Sequence, residues 1–190
     1  MKTLSWIWLV LLLGGCVSMA KVDSGDHQIG ERLQITIEGS WNHLNAPNIG
    51  PAQNWTQEGL PLDWLLLYSG IKDGELVNAP NRSGNAKDFA FRATMQPDEI
   101  VAMFEGMLTR NGSSFELKKL EPYPFGGRKG FHFEFVLTRK VDNVVVTGVG
   151  WGAVSKRELF ALIYMAPRLS FFDRYAAQVD KIALSARIEE

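Results

Sequence analysis

Phe131-His132-Phe133-Glu134-Phe135-Val136-Leu137-Thr138 decides the fold class. Phe131, Phe133, Phe135 and Leu137 alternate with His132, Glu134, Val136 and Thr138, the period-two pattern of a strand with one buried face. Lys140-Val141-Asp142-Asn143 follows as a turn, and residues 144–153 return as a strand. Ser155-Lys156 reads as a second tight connection. It leads into residues 159–165, apolar on both faces and therefore expected to be central or covered. Pro167 stops that strand. A short strand over 115–120 precedes the series. Strands joined by hairpins pair antiparallel, so this half of the chain is a meander.

Two helices flank it. Pro97 suits a first helical turn, and Asp98 and Glu99 suit the positive end of the helix dipole. Ile100, Met103, Phe104, Met107 and Leu108 fall on one stripe, and Asn111-Gly112 tolerates the left-handed turn that ends a helix. The stripe reads as a sheet-packing face rather than a cofactor face. A second helix runs over 171–184, with Ser170 and Asp173 spaced as a capping box and Phe172, Tyr175, Ala176, Val179 and Ile182 as its buried stripe.

Toward the N-terminus, Leu33, Ile35 and Ile37 alternate with polar residues as a half-buried strand, and residues 62–68 form a more fully buried one. Residues 42–59 and 70–90 read as loops, from their Asn, Pro and Gly content. The expected order is β-β-α-β-β-β-β-α: an α+β domain over 31–190, with an antiparallel sheet of about six strands and two covering helices. Hydrophobic content of 46% supports one packed core.

The first residues read as export signal. Lys2 gives a positive start, and Trp6 to Leu13 is an apolar run far shorter than the about 20 residues that span a bilayer. Leu13-Gly14-Gly15-Cys16 resembles the lipobox of bacterial lipoproteins. The resemblance implies cleavage after a signal peptide of residues 1–15 and lipidation of Cys16, the only cysteine. It also implies attachment to a membrane through that lipid. In enteric-type sorting an Asp after the Cys favours inner-membrane retention. Val17 stands there, so the resemblance implies an outer-membrane lipoprotein facing the periplasm. Residues 16–30 are polar, aperiodic and hold two glycines, and read as the lipidated Cys with a flexible tether. With a single Cys, no intramolecular disulfide is available.

Chemistry is sparsely signalled. His27, His43 and His132 lack metal-ligand spacing, so no metal or other cofactor is expected. No GxSxG elbow is present. A formal net charge of −1 without a basic run excludes nucleic acid as a natural partner. Gly148, Gly150 and Gly152 put three gaps on one face of a strand, a groove for close packing or for a ligand. Gly126-Gly127-Arg128-Lys129-Gly130 is a basic turn: a solvated hairpin tip, or a cationic contact for an anionic partner. Trp64 and Trp151 read as core, whereas Trp55, between Asn54 and Thr56, reads as an exposed loop aromatic of the kind that marks contact surfaces. The expected ligand or partner surface is therefore Trp55, Arg128, Lys129 and His132. Two functions follow: a non-catalytic binding or assembly module for an envelope protein or small ligand, or an envelope hydrolase using His132, Glu134 and Arg128.

The helix over 97–111, the meander over 130–165 and the C-terminal helical end resemble the PsbP-like fold. That fold is shared by a photosystem extrinsic subunit and a Ran-binding nuclear transport factor. The resemblance is one of topology, so it implies a binding or assembly role in general and assigns no residue.

Overall fold

The structure, a computed structural model, describes residues 18–45, 50–79 and 89–190. Cys16 and the export signal lie outside the described residues. Among the described residues there are eleven strands and two helices. Six strands come first: β1 (Ser18–Val22), β2 (Gly25–Ile29), β3 (Leu33–Ile37), β4 (Trp41–Asn45), β5 (Gln53–Thr56) and β6 (Trp64–Ile71). Helix α1 (Pro97–Leu108) leads to the meander β7 (Ser114–Pro122), β8 (Phe131–Thr138), β9 (Val145–Ser155) and β10 (Glu158–Pro167). Helix α2 (Phe172–Ser185) and the short β11 (Arg187–Ile188) end the chain.

Eight strands form one antiparallel sheet in the order β1-β4-β5-β6-β10-β9-β8-β7, and β11-β3-β2 make a second, smaller sheet. Period-two alternation distributes the core. Leu66, Tyr68, Ala161, Ile163, Phe131, Phe133 and Phe135 face α1 through its Ile100, Val101, Met103 and Phe104. The alternate residues Leu65, Leu67, Phe160, Leu162, Tyr164 and Trp151 face α2 and the small sheet. The large sheet is thus the middle of three layers. Among the described residues, both cores lie within 22–188.

The expected sheet of about six strands is corrected to eight, with three more beside it. The tether expected over 16–30 is corrected as well. Residues 18–22 pair with β4 from Ser18↔Asn45 to Val22↔Trp41, and residues 25–29 pair with β3. These are edge strands with mostly exposed side chains, held by the backbone ladder and, at their ends, by Val22 and the buried Ile29 against the α2-side core. The domain therefore begins before residue 31. Likewise β4 and β5 occupy part of the expected loop over 42–59.

Helix ends differ in detail. At α1 the Gln96 N–H donates to Glu99 Oε2 at 2.7 Å, so a carboxylate three residues on covers the first free donor. At α2 the residue before the helix is Phe171, without a side-chain cap, so the expected Ser170–Asp173 box is not made.

The three glycines of β9 have a packing role. Gly148, Gly150 and Gly152 stand directly across from Phe135, Phe133 and Phe131 of β8. A methyl group on any of them would collide with that phenyl ring. The rings lie over the bare backbone, and Phe104 of α1 stacks on Phe133 with centroids 6.4 Å apart. The groove anticipated on this face is filled by the protein's own side chains.

Candidate functional site

A cleft lies at the C-terminal end of α1. It has two lobes, with volumes of about 260 and 470 Å³, which share Trp64, Leu108 and Asn111 as common wall. The smaller is lined by Leu60, Pro61, Leu137, Val146, Met165 and Pro167 among others. The larger includes Ala52, Leu66, Tyr68, Val77 and Met107. An apolar wall with a few fixed polar groups is the usual form of a small-molecule site.

Those polar groups are held in place. The Trp64 indole N–H donates to Asn54 Oδ1 at 2.7 Å, and the Asn54 amide donates to the Ala52 carbonyl at 2.8 Å. The Tyr68 hydroxyl donates to the Val77 carbonyl at 3.2 Å, and burial pushes its ionisation far above the ordinary range. Arg110 donates to the Ala79 carbonyl at 3.2 Å across the rim. The cleft thus offers amides, a neutral phenol, the Ser113 hydroxyl and the Arg110 and Arg139 guanidinium groups on largely apolar walls.

The rim beside Leu60 is built on Asp63. This residue is 1% exposed, and its carboxyl oxygens accept from Thr56 Oγ1 at 2.5 Å, Gln57 N at 2.7 Å and Glu58 N at 2.8 Å. Three donors on one buried carboxyl group fix the loop that carries Leu60 and Pro61 over the smaller lobe.

The residues expected from the sequence are placed separately. Trp55 is in β5 and 2% exposed, a correction of its reading as an exposed loop aromatic. Its neighbours Asn54 and Thr56 are buried with it and hydrogen-bonded, so polar flanks did not mean solvent. His27 and His43 stand against its ring at 5.9 and 6.4 Å, and burial pulls the His43 imidazole below its usual range. Arg128 pairs with Glu190 at 3.2 Å, while Lys129 is exposed. Both line an open depression of about 550 Å³ with Tyr123 and two prolines.

His132 lies on the α2 face of β8, in a separate depression of about 240 Å³ lined by Glu121, Tyr123, Trp151, Asp180 and Leu184. Its Nδ1 is 3.2 Å from Glu121 Oε1, and its ring packs 5.1 Å from Trp151. Lys119 binds the same Glu121 at 2.8 Å and also approaches Glu134. Apart from the Tyr123 phenol, none of the side chains lining this depression carries a hydroxyl or thiol. Arg128 lines the other depression, so the expected trio of His132, Glu134 and Arg128 is not gathered in one pocket.

Partial desolvation, with repulsion from Glu134, holds the Asp180 carboxyl above its ordinary range, against the attraction of His132. A raised folded-state value means that ionising Asp180 costs stability, a cost present near neutral pH and relieved as pH falls. Asp180→Asn is therefore expected to raise the unfolding temperature at about pH 7 and to lose that advantage toward about pH 4, in paired melts at both conditions.

No known family profile matches this chain, and no curated protein matches it by sequence. Solved structures do. The solution structure of the cyanobacterial PsbP protein CyanoP from Synechocystis sp. PCC 6803 aligns over 93% of this chain and 98% of its own, with a TM-score of 0.58 at 13% identity. The fold is PsbP-like. At that identity the likeness concerns architecture and carries no site residue across. The PsbP-like frame accounts for the layers.

Proposed function

We propose that the protein is a membrane-anchored envelope domain that binds without catalysis. Cys16 is lipidated and holds the chain to an outer membrane, facing the periplasm, and the Trp64 cleft takes an apolar or amphipathic ligand. The cleft is the observation that carries this reading. Its lobes are walled by Leu60, Leu66, Leu108, Leu137, Val146 and Met165, and its polar groups are already satisfied by one another. A ligand gains there by removing apolar surface from water, at about 25 cal/mol per Å².

Support for the anchor is the Leu13-Gly14-Gly15-Cys16 sequence. Among the described residues no helix is long and apolar enough to cross a membrane.

The test has two arms. In cells, wild type should take up a palmitate analogue and sediment with membranes, and Cys16→Ser should do neither; label on the variant sinks the anchor. In solution, residues 18–190 should bind one equivalent of a fluorescent apolar probe. Leu108→Trp, which fills the wall common to both lobes, should weaken that binding at least tenfold. Equal binding by the filled variant sinks the cleft.

A further inference from the structure

We infer that the loops over 59–62, 139–145 and 167–170 form a surface that seats on an anionic lipid bilayer. This goes beyond the reading above and requires neither a lipid on Cys16 nor an occupied cleft. Eight large apolar side chains stand out in solvent among the described residues; Leu60 at 38%, Leu62 at 36%, Val141 at 85% and Leu169 at 84% are on these loops, and Val145 at 41% opens β9 beside them. The other three, Met19, Leu117 and Leu184, are scattered over β1, β7 and α2. A lone exposed leucine needs no explanation, but a group of them on adjoining loops does.

The loops adjoin because β6, β10, β9 and β8 are neighbours in the sheet. Arg139 Nη1 donates to the Pro61 carbonyl at 2.8 Å, joining the first loop to the second. The Arg168 N–H donates to the Val145 carbonyl at 3.0 Å, joining the second to the third. Leu60, Pro61, Arg139 and Pro167 together line the small lobe of the cleft, so its mouth opens within this surface.

The charges select the partner. Lys140 precedes Val141 and Arg168 precedes Leu169, and both cations are exposed. Neither has an ion-pair partner among the described residues. The one carboxylate on these loops, Asp142, accepts from the Val144 N–H and pairs with Arg139 at 2.6 Å, and the two together lower its ionisation below the usual carboxylate range. The two most exposed tips, Val141 and Leu169, thus each carry a cation at the base. Such a tip places its apolar end among acyl chains and its charge at headgroup phosphates. A protein partner would need matching concave pockets for several convex tips, whereas a bilayer accepts them as they are.

The test uses residues 18–190, which hold both cores and lack the anchor. Sedimentation with phosphatidylcholine vesicles containing phosphatidylglycerol should show binding that weakens with salt, and vesicles of phosphatidylcholine alone should bind little. Val141→Asp with Leu169→Asp should abolish binding at an unchanged unfolding temperature. Lys140→Ala and Arg168→Ala should each weaken it about fivefold, from the usual contribution of one cation at an anionic surface. Leu184→Asp, on α2, should leave it unchanged. Absence of binding to anionic vesicles at low salt, equal binding by the double aspartate variant, or loop-dependent association with proteins in place of vesicles overturns the inference.

Discussion

Gly150→Val is expected to destabilise the protein by about 3 kcal/mol or more, the upper range for overpacking a well-filled core. A Cβ there would lie within the Phe133 ring, which is itself 0% exposed and pressed from above by Phe104. Neither ring nor backbone can give way cheaply, because the same contact repeats at Gly148 and Gly152 along the strand. In a domain of this size the change corresponds to about 6–12 °C in unfolding temperature. A strand position normally favours valine over glycine, so a simple propensity argument gives the opposite sign. The cause can be isolated by combining Gly150→Ala with Phe133→Leu: the pair should cost clearly less than the two changes summed. Additive costs would show that the ring does not set the requirement.

Asp63→Ala is expected to cost about 3 kcal/mol. It strands a buried hydroxyl and two backbone N–H groups, each worth about 1–3 kcal/mol when left unpaired, with partial compensation by water where the loop is open. Asp63→Asn should fall between, since a carboxamide offers one acceptor oxygen where three donors converge. The two variants should also loosen the rim that carries Leu60 and Pro61, so apolar-probe affinity should fall with stability. Chemical denaturation together with probe titration checks both. A full loss of stability at unchanged probe affinity would separate the rim from the cleft.

What the sequence made legible follows the hydrophobic pattern. β8 is visible because Phe131 to Leu137 buries alternate residues, and α1 because its stripe meets one sheet face. β10, apolar on both faces, lies in the middle of the eight-stranded sheet as its composition required. The pattern fails where both faces are wet. β1 and β2 are polar edge strands recognisable only from their pairing with β4 and β3. It fails again at β5, where Asn54 and Thr56 are buried but bonded, which hid the strand and reversed the expected exposure of Trp55.

The candidate site was less legible than the fold, for a different reason. The cleft draws on β5, β6, α1, β8, β9 and β10, from Ala52 to Pro167, and no local spacing announces such an assembly. His132 was correctly placed on a polar strand face, but its partners Glu121 and Asp180 come from the neighbouring strand and from α2.

The pairing of β1 with β4 has a mechanical consequence. Ser18 opens a ladder that ends at Trp41, which is 0% exposed within the α2-side core. Cys16 is two residues earlier, a reach of at most about 7 Å. The first of the five register pairs of β1 and β4 therefore lies next to that point. Under the proposed attachment at Cys16, the domain would have almost no slack: it would tilt and turn with that point instead of swinging freely on a leash.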